Sequence, residues 1–114
     1  MKLWYSTTSP FVRKVRAVAH YHNLQAQIEL LLVTRPFSVG AAHNQDNPLG
    51  RVPALQLNNG RWLYNSSIIA EYLDAQGENT SLFPKDETRW EVLNLYALAE
   101  GVLENLWCNR QNSC

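Results

Sequence analysis

The chain has 114 residues, 46% hydrophobic and 18% charged, and its ten basic and ten acidic side chains cancel. That length suits one small domain with little left for a second, and that apolar content excludes a disordered tail. There is no Lys/Arg-rich run and no segment near the ~20 apolar residues that cross a bilayer, so composition argues against nucleic acid and membrane as partners.

Lys2 to Tyr5 reads as a short strand and Ser6 to Ser9 as a polar turn. The opening residues lack the apolar stretch of a signal peptide, so the cytoplasm is the expected location. Pro10 has no N–H to leave unsatisfied at a first helical position, and Ser9 before it suits an N-cap. The helix that follows carries Val12, Val15, Val18 and Ala19 to about Asn23. Ile28 to Val33 is apolar apart from Glu29, the pattern of a strand buried on both faces. This first third is β-α-β, which implies a parallel strand pair.

Arg35 to Asn47 is polar and weakly periodic, and Asn47-Pro48-Leu49-Gly50 is a turn signal. Val52 to Leu57 reads as a strand, Asn58-Asn59-Gly60 as a hairpin turn and Arg61 to Tyr64 as the returning strand. Asn65-Ser66 caps a helix through Ile68, Ile69, Tyr72 and Leu73 to Gln76, with Gly77 as its stop. The expected fold class is α/β: a β-α-β / β-β-α sandwich with a four-stranded mixed sheet over residues 1–76.

Residues 77–85 read as a linker, residues 86–107 as one long helix and residues 108–114 as a polar tail. From Trp90 to Trp107, twelve of eighteen residues are apolar or aromatic, and they spread over several faces. Such a helix is normally buried among other helices. No further helix follows it here, so self-association, as a homodimer or higher, is expected. The two cysteines, Cys108 and Cys114, form no CxxC pair, and His20, His22 and His43 make no metal spacing with them or with carboxylates. No metal is expected.

Three stretches bear on function: Ser9-Pro10-Phe11-Val12-Arg13-Lys14-Val15-Arg16, Asn47-Pro48-Leu49-Gly50-Arg51-Val52-Pro53-Ala54-Leu55, and Leu63-Tyr64-Asn65-Ser66-Ser67-Ile68-Ile69-Ala70-Glu71-Tyr72-Leu73. Their order and spacing resemble the thioredoxin-like N-terminal domain of glutathione transferases, especially bacterial members of the serine/cysteine type. The long helix resembles the first helix of that family's all-α second domain, which the chain would lack beyond it.

The resemblance implies several site residues. Val52-Pro53 would be a cis peptide whose Val52 backbone pairs with the cysteinyl part of glutathione. Ser66, at a helix N-terminus, would hold the γ-glutamyl carboxylate, because that end carries free N–H groups and partial positive charge. Asn65 stands where the family more often has an acidic residue, so it can accept a hydrogen bond from the ligand ammonium but forms no ion pair. Arg51 would reach the glycyl carboxylate, and Arg13 lies one turn after Ser9. Ser9 would donate a hydrogen bond to the glutathione thiol and favour its thiolate, with Ser6, Thr7 and Thr8 as nearby substitutes. The implied activity is attack of that thiolate on a small electrophile, with glutathione as co-substrate. The alternative is a non-catalytic module that binds glutathione or self-associates. Dithiol exchange is disfavoured, because no cysteine lies in residues 1–107.

Overall fold

In the computed structural model, residues 1–33 and 51–111 are described, with side chains to residue 106. The segment 35–47, the turn at 47–50 and both cysteine side chains lie outside the described residues. Two compact units divide the chain, Met1–Thr80 and Ser81–Cys114.

The first unit is built on a four-stranded sheet: β1 (Lys2–Tyr5), β2 (Glu29–Leu32), β3 (Ala54–Gln56) and β4 (Trp62–Tyr64). Its order is β2-β1-β3-β4. β1 pairs with β2 in parallel and with β3 in antiparallel, and β3 pairs with β4 in antiparallel. The sheet is therefore mixed, as the strand pattern predicts. Helix α1 (Pro10–Tyr21) follows β1 and helix α2 (Ser66–Gln76) follows β4. The two helices pack on each other. Val12, Val15, Val18 and Ala19 of α1 are buried, as are Ile69, Ala70 and Leu73 of α2. Leu3 and Leu55, on one sheet face by register, complete this core.

The structure departs from the sequence reading at several ends, each for a physical reason. β3 begins at Ala54 rather than Val52, because Pro53 has no N–H for a sheet bond. β4 begins at Trp62, since the turn runs one residue further: the Arg61 amide donates to Asn59 Oδ1 at 2.9 Å. α1 stops at Tyr21, and Asn23 adopts a left-handed φ of 56° that a helix cannot continue through. The Leu-rich run does not form a buried strand. β2 lies at the sheet edge, with Leu30 and Leu32 exposed. An apolar run specifies a strand without specifying its place in the order.

Gly77 ends α2, but not through the left-handed turn for which glycine is usually chosen. Its φ of −83° is open to any residue. What needs the glycine is space: a Cβ there would lie 1.9 Å from Cγ of His22.

The second unit holds helix α3 (Arg89–Gln111). It starts three residues after the expected Asp86, because Asp86 caps it instead. Its Oδ1 accepts from the Thr88 amide at 2.9 Å and from the Thr88 hydroxyl at 2.5 Å. These bonds hold the Asp86 carboxyl below its ordinary value of 3.8, the hydroxyl bond contributing most. Phe83 is buried and meets Tyr96 edge-on, ring centroids 5.5 Å apart. Trp90, Leu95, Leu98, Val102 and Leu106 are exposed, Trp90 to 73%. Among the described residues, no helix is long and apolar enough to cross a membrane.

Candidate glutathione site

The sheet register gathers the predicted site residues. Trp4 pairs with Ala54, and Ala54 pairs with Tyr64. Just beyond that row, β1 runs into Ser6–Ser9, Val52-Pro53 leads into β3, and β4 runs into Asn65-Ser66. Neighbouring strands lie ~4.8 Å apart, so three segments distant in sequence leave one sheet end within ~10 Å of one another. β1 and β4 both run antiparallel to β3, hence toward the same end. Helices α1 and α2 therefore both begin there, and each brings the positive end of its dipole to that sheet end. That end attracts anions.

Ser9 is the N-cap of α1. Its Oγ accepts from the Val12 amide at 3.3 Å, and its carbonyl accepts from the Arg13 amide at 3.2 Å. Its own amide donates to Ser6 Oγ at 3.2 Å. A hydroxyl has one donor and two acceptor sites, so the cap leaves the Ser9 proton for a ligand. The residue is only 4% exposed, so a ligand must approach the hydroxyl at close range. Thr7 and Thr8 are exposed. Ser6 is a support for Ser9, a role that sequence spacing did not reveal.

The Val52-Pro53 peptide is cis. Pro53 is buried, Val52 half-buried and Arg51 exposed. Asn65 has φ 76° and ψ 123°, a backbone region rare outside glycine and best tolerated by Asn and Asp. Its Oδ1 accepts from the Ser67 amide at 2.9 Å, capping α2. The second lone pair of that oxygen and the two amide hydrogens remain for a ligand. Ser66 follows, 5% exposed, in the first turn of α2.

A shallow hollow of about 240 Å³ lies at the other end of the sheet, against Lys2, Gln56, Asn58 and Gly60. It shares no residue with the predicted site and lacks helix N-termini.

The mixed sheet, the order of its elements and the paired helix N-termini define a thioredoxin-like fold of the glutathione transferase kind. Residues 8–76 match the family described as "Glutathione S-transferase, N-terminal domain". The chain belongs to this family. It is 34% identical over 106 residues to "Uncharacterized GST-like protein YibF" of Escherichia coli K12, covering 91% of this chain and 50% of that protein. A glutathione transferase family member from Pseudomonas fluorescens Pf-5, solved with bound glutathione, superposes with a TM-score of 0.84 at 42% identity. That match covers 90% of this chain and 51% of the other. A glutathione S-transferase from Methylobacillus flagellatus KT, also solved with glutathione, gives a TM-score of 0.79 at 40% identity, covering 89% and 49%. The chain thus spans about half the length of these relatives.

Proposed function

We propose that this chain binds glutathione across the sheet end formed by Ser6–Ser9, Val52-Pro53 and Asn65-Ser66, and that Ser9 favours the bound thiolate. The observation that carries this reading is the convergence of those three segments on two helix N-termini. Glutathione is an extended peptide with a carboxylate at each end and a thiol between them. Its γ-glutamyl carboxylate would meet Ser66 and the first amides of α2. Its cysteinyl backbone would lie along Val52, as an added strand does. Its glycyl carboxylate would meet Arg51.

The chemistry asked of Ser9 is modest. A free thiol of pKa ~8.5 is only a few per cent ionised at pH 7. A hydrogen bond to an ionised group contributes ~1.5–3 kcal/mol, and a helix N-terminus ~0.3–1 kcal/mol. At ~1.36 kcal/mol per unit, about one to three units of lowering follow, enough to make thiolate common near neutral pH. The thiol proton leaves to water, and the thiolate forms a C–S bond to an electrophilic carbon of a small substrate as the bond to a leaving group breaks; that substrate's binding surface would come largely from the part of the relatives this chain does not span.

The second reading is a glutathione-binding or self-associating module without turnover. Titrating glutathione while following ultraviolet thiolate absorbance tests Ser9. Ser9→Ala should leave binding within about threefold and lower the bound thiolate fraction at pH 7 by about tenfold. Equal thiolate in both proteins would remove Ser9 from the mechanism. Binding without conjugation of a model electrophile would select the second reading.

A further inference from the structure

At the far ends of α1 and α2 from the site, His22 and Asp74 form a hydrogen bond of 2.7 Å, Nε2 donating to Oδ1, with side chains only 0% and 3% exposed. His22 Nδ1 is buried without a partner among the described residues. Neither residue touches the candidate site. The surrounding chain is arranged around this pair. Gly77 lies so close to His22 that a Cβ would fall 1.9 Å from Cγ. Tyr21 stacks edge-on against His22, ring centroids 4.6 Å apart. Tyr21 then holds the chain after Gly77: its carbonyl accepts from Asn79 Nδ2 at 2.6 Å, and its hydroxyl donates to the Thr80 carbonyl at 2.8 Å. Residues 77–80 form a strap across the C-terminal end of α1.

We propose that His22 and Asp74, closed in by this strap, are positioning residues that fix the register of α1 against α2 and thereby the spacing of Ser9 from Ser66. The proposal rests on the glutathione reading above. The two helices pack on each other, and their buried side chains are mostly apolar. Apolar contacts of this kind are non-directional and resist sliding weakly. A buried polar pair has narrow geometry and is costly to break, so it can select one register. The lever is long. Ser9 lies 13 residues before His22, ~20 Å along a helix, and Ser66 lies 8 before Asp74, ~12 Å. A tilt of about 5° at the pair moves the Ser9 end by nearly 2 Å, given that ~20 Å arm. Hydrogen bonds to a ligand do not survive such a displacement. Gly77 makes the mechanism testable without touching either member of the pair, since any side chain there must drive His22 out.

The test uses the full chain and four variants: His22→Ala, His22→Gln, Gly77→Ala and Asn79→Ala. Amide resonances of Val12 and Ser67, which report the two caps at the site, are compared at a temperature where near-UV circular dichroism shows each protein folded. Calorimetric titration with glutathione follows. His22→Ala and Gly77→Ala should both move those distant amides and weaken glutathione binding by about tenfold, because a ligand seated against α1 then loses the charge-assisted hydrogen bond between its γ-glutamyl carboxylate and Ser66. His22→Gln, whose amide can still reach Asp74, should restore binding to within about threefold. Asn79 is exposed, so its variant keeps the fold and should move the same amides less. Folded Gly77→Ala or Asn79→Ala proteins with unmoved Val12 and Ser67 amides would overturn the proposal. So would a lowered melting temperature with unchanged glutathione affinity, which marks a purely structural pair. If the parent chain binds no glutathione, the proposed function fails, while the amide comparison still judges the register.

Discussion

Asn65 caps α2 through its Oδ1 while holding a left-handed φ of 76° at the edge of the candidate site. Replacing it by Asp keeps the acceptor and adds a negative charge at a helix N-terminus, which contributes ~0.3–1 kcal/mol. Asn65→Asp should raise the melting temperature slightly and tighten glutathione binding by about threefold to tenfold, through an ion pair with the ligand ammonium. Calorimetry at low and high salt checks this, since the gain should shrink with salt. Unchanged affinity would place the γ-glutamyl end elsewhere. Asn65→Ala removes the cap and should cost about 0.5–2 kcal/mol of stability in chemical denaturation. At this scale the sequence was informative about capping. Ser9 and Asn65 are both good caps by residue type, and both cap. It was silent on Ser6 as a support for Ser9 and on the pairing of His22 with Asp74. A serine in a polar turn and a His–Asp pair 52 positions apart carry no periodic signal, and only folding brings them to their partners.

Helices were more legible than strands, for a reason of length. Eleven residues of α2 display their period several times, and its bounds follow from Asn65 and Gly77. The three residues of β3 display none, and β2 offered an apolar run compatible with any place in the sheet. The start of α3 shows how a single cap shifts an element. Asp86 carries a lowered carboxyl pKa because the ionised form accepts the Thr88 bonds. A depressed folded value means the cap is fully formed above the ordinary value of 3.8 and is lost as pH falls through the lower folded value. Helical signal in the first turn of α3 should therefore hold down to about pH 4 and decline below it. Asp86→Asn should flatten that decline in amide resonances of residues 89–92. An unchanged decline would assign it to other carboxylates.

Over the whole molecule, the three family-like stretches marked the fold through their order, because each is fixed to a strand end that the register then aligns. Site geometry was legible only to that extent. Sequence placed Val52, Ser66 and Ser9 in one family pattern, whereas the pairing row Trp4–Ala54–Tyr64 puts them at one sheet end. The exposed apolar side chains of α3 belong to this scale as well. Trp90, Leu95, Leu98, Val102 and Leu106 are all more than half exposed, and large exposed apolar patches are uncommon on monomers. Light scattering across a concentration series should show a mass rising above that of one chain. A constant single-chain mass at high concentration would contradict self-association.

The central claim is that glutathione lies at the sheet end where α1 and α2 begin. A titration of the isotopically labelled chain with glutathione, read residue by residue from amide resonances, tests it most directly. Saturable shifts are expected at Ser9, Val52, Ser66 and Ser67, with the hollow at Gln56, Asn58 and Gly60 unmoved. Shifts confined to that hollow, or none at any concentration, would contradict it.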